Sequence, residues 1–97
     1  MIKPKILITN DDGISSQGIY ALWEAMNDIG ETFIAAPSSE QSASSHSLTL
    51  SSPLRVKILK RKNGFKGWSI SGTPVDCVKI AIRSLMKKSP DILVSGV

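Results

Sequence analysis

At 97 residues, with 41% hydrophobic and 21% charged side chains, the chain has the composition of one small folded domain rather than a disordered segment. A single cysteine, Cys77, excludes an internal disulfide and a cysteine-based metal cluster, and no apolar stretch approaches the roughly 20 residues of a membrane-spanning helix. The net charge of +4 divides into −4 over residues 1–52 (two bases, six acids) and +8 over residues 53–97 (ten bases, two acids), yet no aromatic-interleaved motif accompanies the lysines, so nucleic acid is not expected as a partner.

The N-terminus runs into its first strand without a signal-peptide pattern, which sets the expectation of a cytoplasmic protein with no membrane partner. Ile6, Leu7 and Ile8 form an apolar run that reads as a buried parallel strand, and Thr9-Asn10-Asp11-Asp12-Gly13 follows it directly. Open α/β sheets place ligand sites at such strand ends. Two adjacent carboxylates repel each other unless they are solvated or neutralised, and a hard divalent cation such as Mg²⁺ or Mn²⁺ suits oxygen ligands of this kind. A solvated Asx turn closed by Gly13 is the plainer reading of the same residues.

Ile19, Leu22, Met26 and Ile29 recur at helical spacing, with Ser15 or Ser16 as N-cap and Gly30 as the stop. Thr32 to Ala36 reads as a second strand ended by Pro37. The segment from Ser38 to Ser47 holds six serines in ten residues together with the chain's one histidine, His46, and its place between strands favours an ordered functional loop over a linker. Leu48 to Leu50, Leu54 to Leu59 and Phe65 to Ile70 read as strands, the last two closing a hairpin through Asn63-Gly64. Thr73 then caps a helix with Pro74 at its first position and Asp76 at its third; Val78, Ala81, Ile82 and Leu85 supply the expected buried stripe. Asp91 to Val97 is a final strand. Strands alternating with helices predict a Rossmann-like, three-layer α/β sandwich with a mostly parallel sheet and a β-hairpin insertion. Cys77, Tyr20, Trp23 and Trp68 are expected in the core or an interface.

The order of motifs resembles a known family. Asn10-Asp11-Asp12-Gly13, then Ala36-Pro37 with Glu40-Gln41-Ser42-Ala43 and His46-Ser47, then Gly72-Thr73-Pro74-Val75-Asp76-Cys77-Val78, then Asp91 to Val97 are similar to the successive signatures of the SurE family. The resemblance implies a divalent-metal-dependent phosphatase of the 5′-nucleotidase type, with Mg²⁺ or Mn²⁺ as cofactor, a nucleoside 5′-monophosphate as substrate, and a homo-oligomer, dimer or tetramer, as the assembled state. It places metal ligands, with their catalytic role, on Asp11 and Asp12 and a further metal ligand on Ser42. Asn10, Gly13, Thr73 and His46 are candidates for binding the substrate, with plainer roles open to three of them: turn residue for Asn10, N-cap for Thr73 and loop support for His46. The family's asparagine ligand falls one position past Val97. Residues 1–97 are accordingly expected to be the N-terminal portion of a single SurE-like domain, weakly active or inactive alone. A haloacid-dehalogenase-type phosphatase fits less well, because its paired aspartates are separated by one residue and these are adjacent. A non-catalytic nucleotide-binding α/β module is the alternative from another class, although the spaced glycines of a dinucleotide fingerprint are missing.

Overall fold

The computed structural model describes residues 3–39 and 54–96. Its elements are β1 (Lys5–Asn10), α1 (Gln17–Asn27), β2 (Glu31–Pro37), β3 (Val56–Lys60), β4 (Lys66–Ile70), α2 (Pro74–Ile80) and β5 (Ile92–Gly96). The strands form one sheet in the order β3-β4-β2-β1-β5, parallel throughout except for the antiparallel β3–β4 hairpin at one edge. This is the expected α/β architecture with its hairpin insertion. The expected strand at Leu48 to Leu50 lies outside the described residues.

Because β1 is an interior strand with a helix packed on each face, both of its faces are covered, which explains an apolar run where a half-solvated strand would alternate. Ile6 and Ile8 join Ile19, Tyr20, Trp23, Ile34 and Phe65 in the core under α1, while Leu7 joins Ala35, Ile70, Cys77 and Ala81 in the core under α2. The sheet therefore separates two apolar layers, each closed by one helix. Tyr20, Trp23 and Phe65 pack ring against ring with centroids 5.4–5.6 Å apart, within the range in which aromatic pairs add to simple burial.

Two helical expectations need correction. Ile29 lies beyond the end of α1 at Asn27 and is 56% exposed, because the chain has already turned toward β2 when the helical spacing would have brought it inward. Cys77 and Ala81 are buried as expected, but after Ile80 the second helix widens into a π-type turn over Ala81–Leu85, in which the Met86 N–H donates to the Ala81 carbonyl; the shift in phase leaves Ile82 38% exposed and buries Met86 instead. The N-terminal signals of α2 are as expected. The Asp76 N–H donates to Thr73 Oγ1 (3.2 Å) and the Thr73 N–H donates to Asp76 Oδ2 (3.0 Å), a reciprocal capping box with Pro74 at the first position.

Burial and the neighbouring Asp76 charge push the Cys77 thiol up from the ordinary 9.0 to about 12. Since the unfolded chain loses that proton near its ordinary value and the folded chain holds it to about 12, stability is fully present below pH 9 and declines as pH rises through that window. The expected result is a falling urea midpoint between pH 9 and 12 that a Cys77→Ala variant lacks, together with resistance of the native thiol to alkylation at pH 8. Rapid alkylation of the folded protein would contradict it.

The hairpin turns through Asn63 (φ 61) and Gly64 (φ 88), a left-handed pair as the Asn-Gly signal predicts. Between β2 and β4 the ladder covers only Ala35–Trp68, Ala36–Ser69 and Pro37–Ile70. Gly67 sits where this pairing stops, and a Cβ there would fall 2.8 Å from Ile34 Cβ, so only glycine lets the strands close at this level. Toward the amino edge the strands part around a cleft of about 440 Å³ lined by residues that include Phe33, Ile58 and Trp68.

Candidate functional site

The parallel register brings Asn10 of β1 beside Gly96 of β5, so both strands end together at the carboxyl edge of the sheet. The carboxyl end of β2 is tied to the same place: the Ile14 N–H donates to the Pro37 carbonyl at 2.8 Å. The segment from Asp11 to Ser16 thus emerges between two strand ends, where this class of sheet forms its ligand sites.

Asn10 is 1% exposed and faces the α1 side, in phase with Ile6 and Ile8. Its Nδ2 donates to the Gly13 carbonyl (3.0 Å) and to Ser16 Oγ (2.9 Å), while its Oδ1 accepts from the Gly13 N–H (3.2 Å). Ser16 is the N-cap of α1, its hydroxyl accepting from the Ile19 N–H at 3.2 Å. One buried amide therefore ties the turn to the helix start. Gly13 adopts φ 104, a conformation that L side chains rarely take, and this is the reason for glycine at the turn.

Asp11 and Asp12 are the residues this framework leaves outward. Both are exposed, and among the described residues neither carboxylate is engaged in a hydrogen bond or an ion pair. Among the described residues no three His, Cys, Asp or Glu side chains gather as a metal cluster, so the pair stands without a third such ligand there. Two unengaged carboxylates on a fixed backbone fit a hard divalent cation, which takes oxygen ligands and keeps several waters.

The other expected site residues separate into three groups. Ser42 and His46 lie outside the described residues. Gly13 and Asn10 are in the loop, and both ends of the Asn10 amide are engaged within it, the turn role that is one of its two readings. Thr73 is exposed and its hydroxyl accepts the α2 capping bond; it follows β4, two strands from β1, a lateral separation of about 10 Å. The amino-edge cleft is remote from Asp11 and Asp12 and is not part of this site.

Sequence reasoning missed Arg61, whose Nη1 donates to the carbonyls of Ser16 (2.9 Å) and Ile14 (3.2 Å) across the molecule from the hairpin. It also missed Thr9, which is 3% exposed with an Oγ1 that finds no hydrogen-bond partner among the described residues.

An open α/β sheet bearing an acidic loop at its carboxyl edge defines a class of proteins that bind ligands at that edge. Comparison narrows the class. The family model described as survival protein SurE matches residues 6–97, and the chain belongs to this family. It is 48% identical over 95 residues to the 5′-nucleotidase SurE of Chlorobium limicola and 52% identical over 94 residues to that of Solidesulfovibrio magneticus, covering 98% and 96% of this chain but 37% and 36% of those relatives. The crystal structure of the SurE protein from Aquifex aeolicus superposes with a TM-score of 0.73 at 40% identity, over 97% of this chain and 37% of that one. The chain therefore spans a little over a third of the length of the relatives it matches.

Proposed function

We propose that residues 1–97 form the N-terminal part of one SurE-like domain, and that the whole protein is a metal-dependent phosphatase releasing phosphate from nucleoside 5′-monophosphates. The observation that carries this reading is the pair of exposed carboxylates, Asp11 and Asp12, unengaged among the described residues, on a loop whose backbone is held by Asn10, Pro37 and Arg61. The relatives, 5′-nucleotidases by name, supply the substrate class. Asp11 and Asp12 would hold Mg²⁺ or Mn²⁺, with Ser42 as a neutral oxygen ligand on family grounds. When bound, such a cation supplies Lewis acidity toward a phosphoryl oxygen and makes water a stronger acid.

The chain's own residues have distinct parts in this reading. Gly13 is a candidate for substrate binding only through its lack of a side chain, because its own N–H and carbonyl are held by Asn10. Asn10 and Ser16 hold the turn so that Asp11 and Asp12 keep their spacing. Thr73 serves first as a helix cap, and His46 is a candidate for proton transfer or for holding its loop. Homo-oligomerisation of the whole protein and a cytoplasmic location belong to the same proposal; among the described residues no helix is long and apolar enough to cross a membrane.

The test is direct. Phosphate release from a nucleoside 5′-monophosphate by the whole protein is expected to stop on exhaustive chelation and to return when Mg²⁺ or Mn²⁺ is restored. Undiminished turnover in the chelated protein would remove the metal from the reading.

A further inference from the structure

We propose that Arg61 is a positioning residue for the Asp11–Asp12 loop, reaching it from the β3–β4 hairpin through the carbonyls of Ile14 and Ser16; the inference rests on the metal-binding role proposed above and extends it to a residue outside the carboxyl edge. Nη1 of Arg61 donates to Ser16 O at 2.9 Å and to Ile14 O at 3.2 Å. Its guanidinium lies 4.8 Å from the ring centroid of Tyr20 and 5.1 Å from that of Phe65, so the group is fixed against two buried rings as well as by its hydrogen bonds. Both bonds come from Nη1, whose two N–H groups fork in fixed directions within the guanidinium plane, an orientation that a freely rotating lysine ammonium does not impose.

The loop has three attachments. Asn10 fixes it next to β1, the Pro37 carbonyl takes the Ile14 N–H, and Arg61 takes the two carbonyls on the helix side. Asp11 and Asp12 lie between Asn10 and Gly13, inside the turn that the Asn10 amide closes, and the other two attachments hold the segment that follows it. Helix stabilisation does not account for the third: a cation beside the N-terminus of α1 opposes the helix dipole, and no acidic residue occupies the first turn to offset it. Closure of the hairpin does not account for it either, since Asn63 Nδ2 donates to the Tyr20 hydroxyl at 2.7 Å and Phe65 is buried in the core independently of the Arg61 fork. What Arg61 adds is a hold on the Ile14 and Ser16 backbone, the base on which the Asn10-closed turn bearing the carboxylates rests.

The experiment uses the whole protein, with Mn²⁺ alone as the probe and its binding followed by water proton relaxation, alongside phosphate release and the metal-free melting temperature. Arg61→Lys and Arg61→Gln are each expected to weaken Mn²⁺ binding about 10-fold, the effect typical of groups that orient metal ligands, and to raise the Mn²⁺ needed for half-maximal turnover in parallel, with turnover at saturating Mn²⁺ near wild type. Tyr20→Phe removes the hydroxyl that anchors the same hairpin and leaves the fork intact; it is expected to lower the melting temperature and leave Mn²⁺ affinity unchanged. Wild-type Mn²⁺ affinity in folded Arg61→Lys and Arg61→Gln would overturn the inference while leaving the phosphatase reading standing. Absence of Mn²⁺ binding by the wild-type protein would overturn both.

Discussion

Replacing Asp11 and Asp12 together by asparagine is expected to reduce metal-dependent phosphate release by the whole protein by at least about 100-fold, since loss of the ligands themselves should exceed the 10–100-fold that loss of their supporting groups costs. The same double variant is expected to fold as stably as the wild type, or slightly more so. Both side chains are exposed and neither is engaged among the described residues, so no native contact is lost and the repulsion between adjacent like charges is relieved. Activity and stability thus move independently, and this separates a ligand pair from a structural turn. Turnover near the wild-type level in the double variant, at limiting metal, would return Asp11 and Asp12 to the status of a solvated turn.

Asn10→Ala is expected to have the opposite profile, a large loss of stability with the carboxylates still present. Removing the amide takes the acceptor from the buried Gly13 N–H and donors from the Gly13 carbonyl and from Ser16 Oγ. The Gly13 N–H is left unmatched, at about 1–3 kcal/mol, while the Gly13 carbonyl keeps the Ser16 N–H and Ser16 Oγ keeps the Ile19 N–H; with the two further bonds lost, a decrease of about 2–4 kcal/mol is expected from urea denaturation. Asn10→Asp is expected to recover little, because a buried carboxylate would face the Gly13 carbonyl oxygen with no proton to donate at neutral pH. A loss below about 0.5 kcal/mol for Asn10→Ala, the range of ordinary surface changes, would show that the turn holds its shape without the amide.

The parts of this fold that were legible in the sequence are those fixed by local chemistry. The apolar run of β1 announces a strand buried on both faces, the Thr73-Pro74-Val75-Asp76 string announces a helix start, and Asn63-Gly64 announces the hairpin. Periodicity marks spacing but not where a helix stops or changes pitch, which is why Ile29 and Ile82 were assigned inward and lie outward. Asn10 was open to two readings because its neighbours are acids. Counting alternate residues from Ile6 and Ile8 puts it on the buried face and favours the turn. Arg61 left no local signal, since its contacts lie 45 and 47 positions away in the chain; its one distinguishing mark is that it is an arginine among lysines at the hairpin. The Asp11–Asp12 pair was legible as chemistry, but how its loop is held became visible only with strand order and register.

The two outer strands differ in what they would do in a crowded solution. On β3, Val56 and Ile58 are exposed, but Lys57 and Lys60 lie on the same strand and Lys66 stands directly across from Lys60, so a second copy laid along that edge would meet lysine with lysine. On β5, Ile92 is 45% and Leu93 51% exposed, the described strand carries no charged side chain, and among the described residues its only partner is β1. Unwanted pairing between copies is therefore directed to one edge. That edge belongs to the strand lying against β1, so any covering of β5, by more of its own chain or by another molecule, comes to rest one strand from Asp11 and Asp12.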